Sequence, residues 1–293
     1  MSASLNSGSF NSSFSGFGGA SSYITQGVIG LAAAAVLYMA LGSFELLSKY
    51  VNRLDANRVN LLPDSYQMAA RTKQLIQNPN LSKGTTVTLS SNEGTGVEFT
   101  YSFFLNVPQS AFTGTGTEGL NHIFHKGSPS QYPLLGPGVY MHNEINTMRI
   151  YMNSYDNWNN SVEVPNFPIG KWCHVVILCR SMHLEIYVNG NIVSRMGFNI
   201  SPPYQNYGDV YAFSNRKPNK LPTNLPSLEG KTFNVLGVCQ GMLSRLTYFN
   251  YALSYTEINK LMSEGPSKKM DTAEGATSTT YLIDNWWTAD FTQ

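Results

Sequence analysis

No charged side chain and no histidine occurs between Ser2 and Phe44 of this 293-residue chain. A surface helix of a soluble domain carries a polar stripe, so that absence excludes one here. Charge is scarce elsewhere as well: 19 Lys and Arg and 18 Asp and Glu make up 13% of the sequence, for a net charge of +1. Lacking a Lys/Arg stripe, the chain has no electrostatic footprint for nucleic acid. Cysteine is limited to Cys173, Cys179 and Cys239. An odd number set inside apolar runs makes no disulfide framework, and the three read as free core thiols in a reducing compartment. No Cys-x-x-Cys or His-x-x-x-His spacing is present to hold zinc.

What fills the end of the charge-free stretch, from Tyr23 to Phe44, is mostly apolar. About 20 residues rising 1.5 Å each match a hydrocarbon core of ~30 Å, and a helix satisfies its own backbone where no water is available. The run predicts one transmembrane helix over 23–47, with the lipid bilayer as a partner. A cleaved signal peptide opens on a basic segment, whereas here a Ser/Gly/Asn-rich stretch without Lys or Arg comes first. Lys49, Arg53 and Arg58 follow the span, so the positive-inside rule puts the long C-terminal part on the cytoplasmic side. Of the sequons at Asn11, Asn80, Asn159 and Asn199, only Asn11 then faces a secretory lumen.

The remaining organisation follows the hydrophobic period. Residues 1–22 are too polar and small to bury a core and are expected to be disordered. Residues 48–84 read as a juxtamembrane helical stalk: Leu46, Leu47, Tyr50, Val51 and Leu54 extend the helix, Pro63 interrupts it, and Ser65 to Gln77 forms a second helical stretch. From 85 to 265 the period changes to two, with short β-rich runs such as Val97–Leu105, His174–Cys179 and Leu184–Val188 between Gly, Pro and Asn. Such spacing predicts an all-β antiparallel jelly-roll sandwich. Phe99, Phe103, Trp172 and Tyr187 are its expected core, and Asn189-Gly190 supplies the positive-φ pair of a tight hairpin. His122 and His125, three apart, fall on opposite faces of a strand, and all the histidines read as structural. A tail, 266–293, ends in an aromatic segment with Trp286 and Trp287, which docks on its own sandwich or on a partner.

The most specific stretch is Gly170-Lys171-Trp172-Cys173-His174-Val175-Val176, followed by Tyr187-Val188-Asn189-Gly190. It resembles the central hairpins of the concanavalin A-like, laminin-G-like jelly roll. Gly241 to Ile258 is similar to that family's closing strand and short helix, with Ser254 capping the helix and Glu257 at the capping-box position. The span, the stalk near Leu61-Leu62-Pro63, the jelly roll with His122 to Gly127 and Pro133 to Gly138, and the Trp286-Trp287 tail together resemble proteins of this kind encoded by large nucleocytoplasmic DNA viruses. That likeness implies a protein of a virion internal membrane.

The glucanase branch of the family carries E-x-D-x-x-E on a strand, which sets paired carboxylates on one face. That spacing is absent, Glu185 has no second acid two or four residues away, and no enzyme is expected. The resemblance implies calcium at the sheet rim as the one cofactor to consider, with Asp156 and Asp209 as weak ligands. Tyr155, Asp156, Asn157 and Trp158 place an aromatic beside an amide and a carboxylate, a set suited to a glycan or a protein partner. The expected function is a non-enzymatic structural protein linking a membrane to a capsid or another membrane protein; the alternative is a lectin-like adhesin that binds carbohydrate.

Overall fold

The computed structural model describes residues 17–81, 84–90, 96–113, 118–218 and 233–271. The chain forms two compact units, Met1–Ala56 and Asn57–Gln293. The first contains α1, Phe17–Ala56, and within it Gln26–Ser48 is long and apolar enough to cross a membrane. Residues 17–22, expected to be disordered, are helical. Residues 1–16 and the Trp286-Trp287 end lie outside the described residues.

The second unit is a sandwich of two sheets. One holds six strands in the order β1 (Arg58–Gln67), β13 (Met242–Phe249), β3 (Glu98–Asn106), β8 (Cys173–Arg180), β9 (His183–Val188) and β10 (Asn191–Gly197). The other runs β2 (Lys73–Leu75), β11 (Asp209–Ala212), β4 (Leu120–Gly127), β5 (Leu135–His142), β6 (Met148–Met152) and β7 (Asn160–Val164), with β12 (Val235–Val238) parallel to β4. Alternate residues of each strand meet between the sheets: Phe99, Tyr101, Phe103 and Leu105 of β3 against Ile123, Val139, Met148 and Ile150.

Two expectations about the start of the sandwich are corrected. Ser65 to Gln77 forms parts of strands β1 and β2 and no helix, so residues assigned to the stalk belong to the sheets. The cause is tertiary: pairing of β1 with β13 buries Leu61, Leu62 and Tyr66 in the core, which outweighs local helical pattern. Pro63 is accommodated because β1 is an edge strand, with its ladder broken between Leu62 and Ser65. Phe99 and Phe103 are core, whereas Trp172 and Tyr187 are only partly buried. The Asn189-Gly190 turn has the positive φ values, 49° and 78°, that such a hairpin needs. All three cysteines are buried and free.

The centre of each outer face is covered too, while edge strand β10 is largely exposed. On the six-stranded sheet, Thr100, Val176 and Leu178 lie buried beneath α2 (Tyr255–Glu264) and the segment entering it. Thr100 Oγ1 donates to Tyr251 O at 2.9 Å and accepts from Leu253 N–H at 3.1 Å, which pins that segment down. Ser254 and Glu257 close the capping box, holding the first turn of α2. On the other sheet, Tyr140 and Tyr151 cluster with Leu120, Leu135, Phe233 and Val235.

The histidine pair shows how a bulge overrides strand periodicity. β4 pairs His122 with Tyr140 but Phe124 with Val139, so one extra residue brings His122 and His125 to the same side. Their rings bond directly, His122 Nε2 to His125 Nδ1 at 2.7 Å. Because Ser214 N–H donates to His122 Nδ1, the His122 proton sits on Nε2 and points to His125, whose own Nε2–H donates to Ser128 O. Both rings are therefore held neutral. Burial pushes His122 well below the ordinary range, and burial also pushes His125 and His174 down to about 4.

A pKa lowered in the folded state makes stability complete above the ordinary histidine value of about 6.5 and lost as pH falls toward 4, because the unfolded chain takes up the protons first. For His125 and His174 the loss is on the order of 3 kcal/mol each by pH 4. Urea unfolding between pH 7 and 4 is expected to show stability falling with more than one proton taken up per molecule. A flat profile over that interval would contradict buried neutral rings.

Candidate binding site on the loop rim

Exposed polar chemistry gathers at the rim, where the loop between β6 and β7 meets the segment after β10. Asn153 anchors the first loop: buried, it accepts from Leu135 N–H and donates through Nδ2 to Pro133 O at 2.8 Å. The loop then turns tightly, with Ser154 N–H bonded to Asn157 O at 2.8 Å, and Tyr204 N–H joins Asn153 O at 2.8 Å. The Asp156 carboxylate accepts from Ser154 Oγ at 2.6 Å and from Ser201 Oγ, while Ser201 Oγ accepts from Asp156 N–H at 3.2 Å. These hydroxyl donors hold the Asp156 carboxyl below its usual range.

Between the two segments lies a cleft of about 160 Å³, lined by Ser154, Asp156, Asn157, Asn160, Asn199 and Ser201 among others. Ile200, 82% exposed, stands at its edge, and Tyr155, 68% exposed, packs edge-on to Tyr204 with ring centroids 5.0 Å apart. A polar floor with an exposed aliphatic side chain at its edge and an exposed aromatic on the same loop can hold a ligand by hydrogen bonds and by apolar contact.

Of the four residues expected here, Tyr155, Asp156 and Asn157 gather at this rim. Trp158 does not. Its ring packs edge-on against Tyr132 and Phe233 at 5.0 and 5.4 Å, joining the aromatic cluster on the outer face of the sheet. A large apolar ring within reach of such partners is better buried than displayed. Sequence reasoning missed the second wall, 197–201; its available signal was an aliphatic residue between Asn199 and Ser201 just past a strand.

Asp209, the other carboxylate considered for calcium, holds a different set of partners. It accepts from Gln77 N–H at 2.9 Å and from Gln74 Nε2 at 2.8 Å, tying down β2. In the same loop the carbonyl oxygens of Asn206 and Gly208 accept from the buried Lys126 ammonium at 2.6 and 2.8 Å. Among the described residues no three His, Cys, Asp or Glu converge on a common point. Glu185 accepts from Tyr187 OH at 3.0 Å and faces Arg195 at 3.5 Å.

Residues 81–259 match the family model described as the concanavalin A-like lectin/glucanases superfamily, in its laminin G form. The chain belongs to this superfamily. Solved structures that this chain matches include the binding domain of Paraclostridial Mosquitocidal Protein 1, at 14% identity and TM-score 0.45 over 72% of this chain and 53% of that one. The receptor binding domain of botulinum neurotoxin D matches at 12% identity and TM-score 0.43, over 70% of this chain and 52% of that one. The botulinum neurotoxin serotype D ligand binding domain, solved in complex with N-acetylneuraminic acid, matches at 13% and 0.43, over 71% and 51%. The chain spans about half or less of the length of the structures it matches. No curated protein matches it.

If Ser201 locks Asp156 across the cleft, Ser201→Ala will release the loop without unfolding the sandwich. The expected result is about tenfold faster hydrogen exchange at the Asp156 and Asn157 amides, with global stability changed by less than roughly 1 kcal/mol. Unchanged exchange there would show that the cleft is held by other contacts.

Proposed function

We propose that the protein is a non-enzymatic interaction module, held by one membrane-spanning helix on the cytoplasmic side of a membrane, whose loop rim engages another protein. One observation carries the reading: Ile200 stands exposed at the edge of a polar cleft, and Tyr155, exposed on the loop that forms one wall, lies between the lining residues Ser154 and Asp156. Exposed aromatic and aliphatic anchors next to a hydrogen-bonding floor are the anatomy of a protein interface. The charge-free run up to Phe44 within α1 supports the tether, and Lys49, Arg53 and Arg58 just past that run support the cytoplasmic side. Three free cysteines fit a reducing compartment. The resemblance to jelly-roll proteins of large nucleocytoplasmic DNA viruses supports a capsid or other virion protein as the partner.

The composition of the cleft favours a second reading. Ser154, Asp156, Asn157, Asn160, Asn199 and Ser201 offer hydroxyl, amide and carboxylate groups, and the exposed Tyr155 belongs to the same loop, a set that meets a sugar. In that case the module is a membrane-displayed, lectin-like adhesin and its topology is reversed.

A photoreactive residue placed at position 155 or 200 in the full chain, in native membranes, separates the two. The first reading expects adducts with one defined protein from both positions and none from exposed position 144. Absence of adducts, together with glycan-array binding that Tyr155→Ala reduces at least tenfold, would replace it with the second.

A further inference from the structure

A second constructed cavity lies away from the rim, on the outer face of the six-stranded sheet under the last turn of α2. Its volume is about 120 Å³, and Arg58, Asn60, Ser102, Arg245, Thr247 and Glu264 contribute to its lining. Two guanidinium groups therefore face it against one carboxylate. Glu264 spans both, with Arg58 Nη2 at 2.6 Å from one oxygen and Arg245 Nη1 at 3.1 Å from the other, which fixes the two planar forks in place.

Arg245 is brought there by a built irregularity. β13 pairs Ser244 with Phe104 and then Thr247 with Ser102, so one residue is extra, and Arg245 takes the left-handed φ of 49°. Leu243 and Leu246 remain in the core while Ser244, Arg245 and Thr247 serve the outer side. The Arg245 Nε is buried and has no hydrogen-bond partner among the described residues. A bulge that aims a charged side chain at a cavity is a feature of functional sites.

Ser102 adds a directed donor. His174 Nε2 lies 2.8 Å from Ser102 Oγ, and His174 Nδ1 is buried with no partner among the described residues. A buried orphan acceptor is tolerated better than a buried orphan N–H. The ring proton therefore sits on Nε2 and is donated to Ser102 Oγ, leaving the Ser102 hydroxyl proton for an acceptor in the cavity.

We infer that this cavity binds one small oxyanion of the phosphate class, held by Arg245 and Arg58 and by the Ser102 hydroxyl. Its volume admits a single tetrahedral oxyanion with some water. Planar forks with several donors are suited to phosphate oxygens. The oxyanion is either a free phosphate ester or the phosphomonoester of a lipid headgroup.

The test titrates full-length protein in non-ionic detergent with inorganic phosphate at constant ionic strength, read by calorimetry. Saturable one-site binding is expected, weakened at least tenfold by Arg245→Gln and about threefold by Ser102→Ala. Glu264→Gln, which removes the competing carboxylate, is expected to tighten binding at least threefold, an effect that loss of fold cannot produce. Thermal unfolding in chloride buffer shows that each variant is folded. Competition by phosphatidic acid in the micelles assigns the site to a headgroup, and competition by glycerol phosphate alone assigns it to a free ester. No binding by the unaltered protein, or equal binding by folded Arg245→Gln, overturns the inference.

Discussion

The inner faces of both sheets and the centre of each outer face are buried, while edge strand β10 stays largely exposed, and that packing limits where a site can form. The inner faces meet through Phe99, Tyr101 and Phe103 against Ile123, Val139 and Ile150. The centre of the outer face of the six-stranded sheet is covered by α2 and by the segment entering it, which the two hydrogen bonds of Thr100 hold down. The other outer face is closed by the cluster around Tyr140, Tyr151 and Phe233, with the Tyr140 hydroxyl donating to Gln131 at 2.8 Å. A jelly roll with an open sheet face can use that face as a groove. Here the centres of those faces are packed, and the two polar sites lie at the loop rim and where a bulge breaks the ladder.

Bulges account for the polar features of the interior as well. In β4 an extra residue turns His122 and His125 to one side and lets His122 Nε2–H donate to His125 Nδ1. In β13 an extra residue sends Arg245 toward the cavity beneath α2. Each inserts one residue between well-packed neighbours, so the core is unbroken while one polar side chain is re-aimed. Buried neutral rings and a fixed guanidinium pair follow from the same local geometry.

The features legible in the sequence were those fixed by residues close together in the chain. The Asn189-Gly190 hairpin, the Ser254–Glu257 capping box and the alternation of β3 each depend on a few neighbours, and each appears in the structure as read. The helical reading of Ser65 to Gln77 failed because those strands exist only by pairing with β13 and β11, more than a hundred residues away. The faces of His122 and His125 were misread because a one-residue bulge leaves no trace in a period of two. At the rim, the loop carrying Tyr155, Asp156 and Asn157 was visible, but its second wall and the withdrawal of Trp158 depend on contacts from distant segments. The cavity under α2 draws on β1, β3, β13 and the helix, and no local pattern announces it.

In the proposed function, the apolar run within α1 tethers a module whose loop rim meets a partner on its own side of a membrane. The measurement that tests this most directly is protease treatment of sealed, right-side-out membranes carrying the full chain, after an alkaline carbonate wash. The account predicts that the protein stays with the membrane and that residues 57–293 survive until detergent opens the vesicles. Release by carbonate, or digestion of the sandwich before detergent, would contradict it.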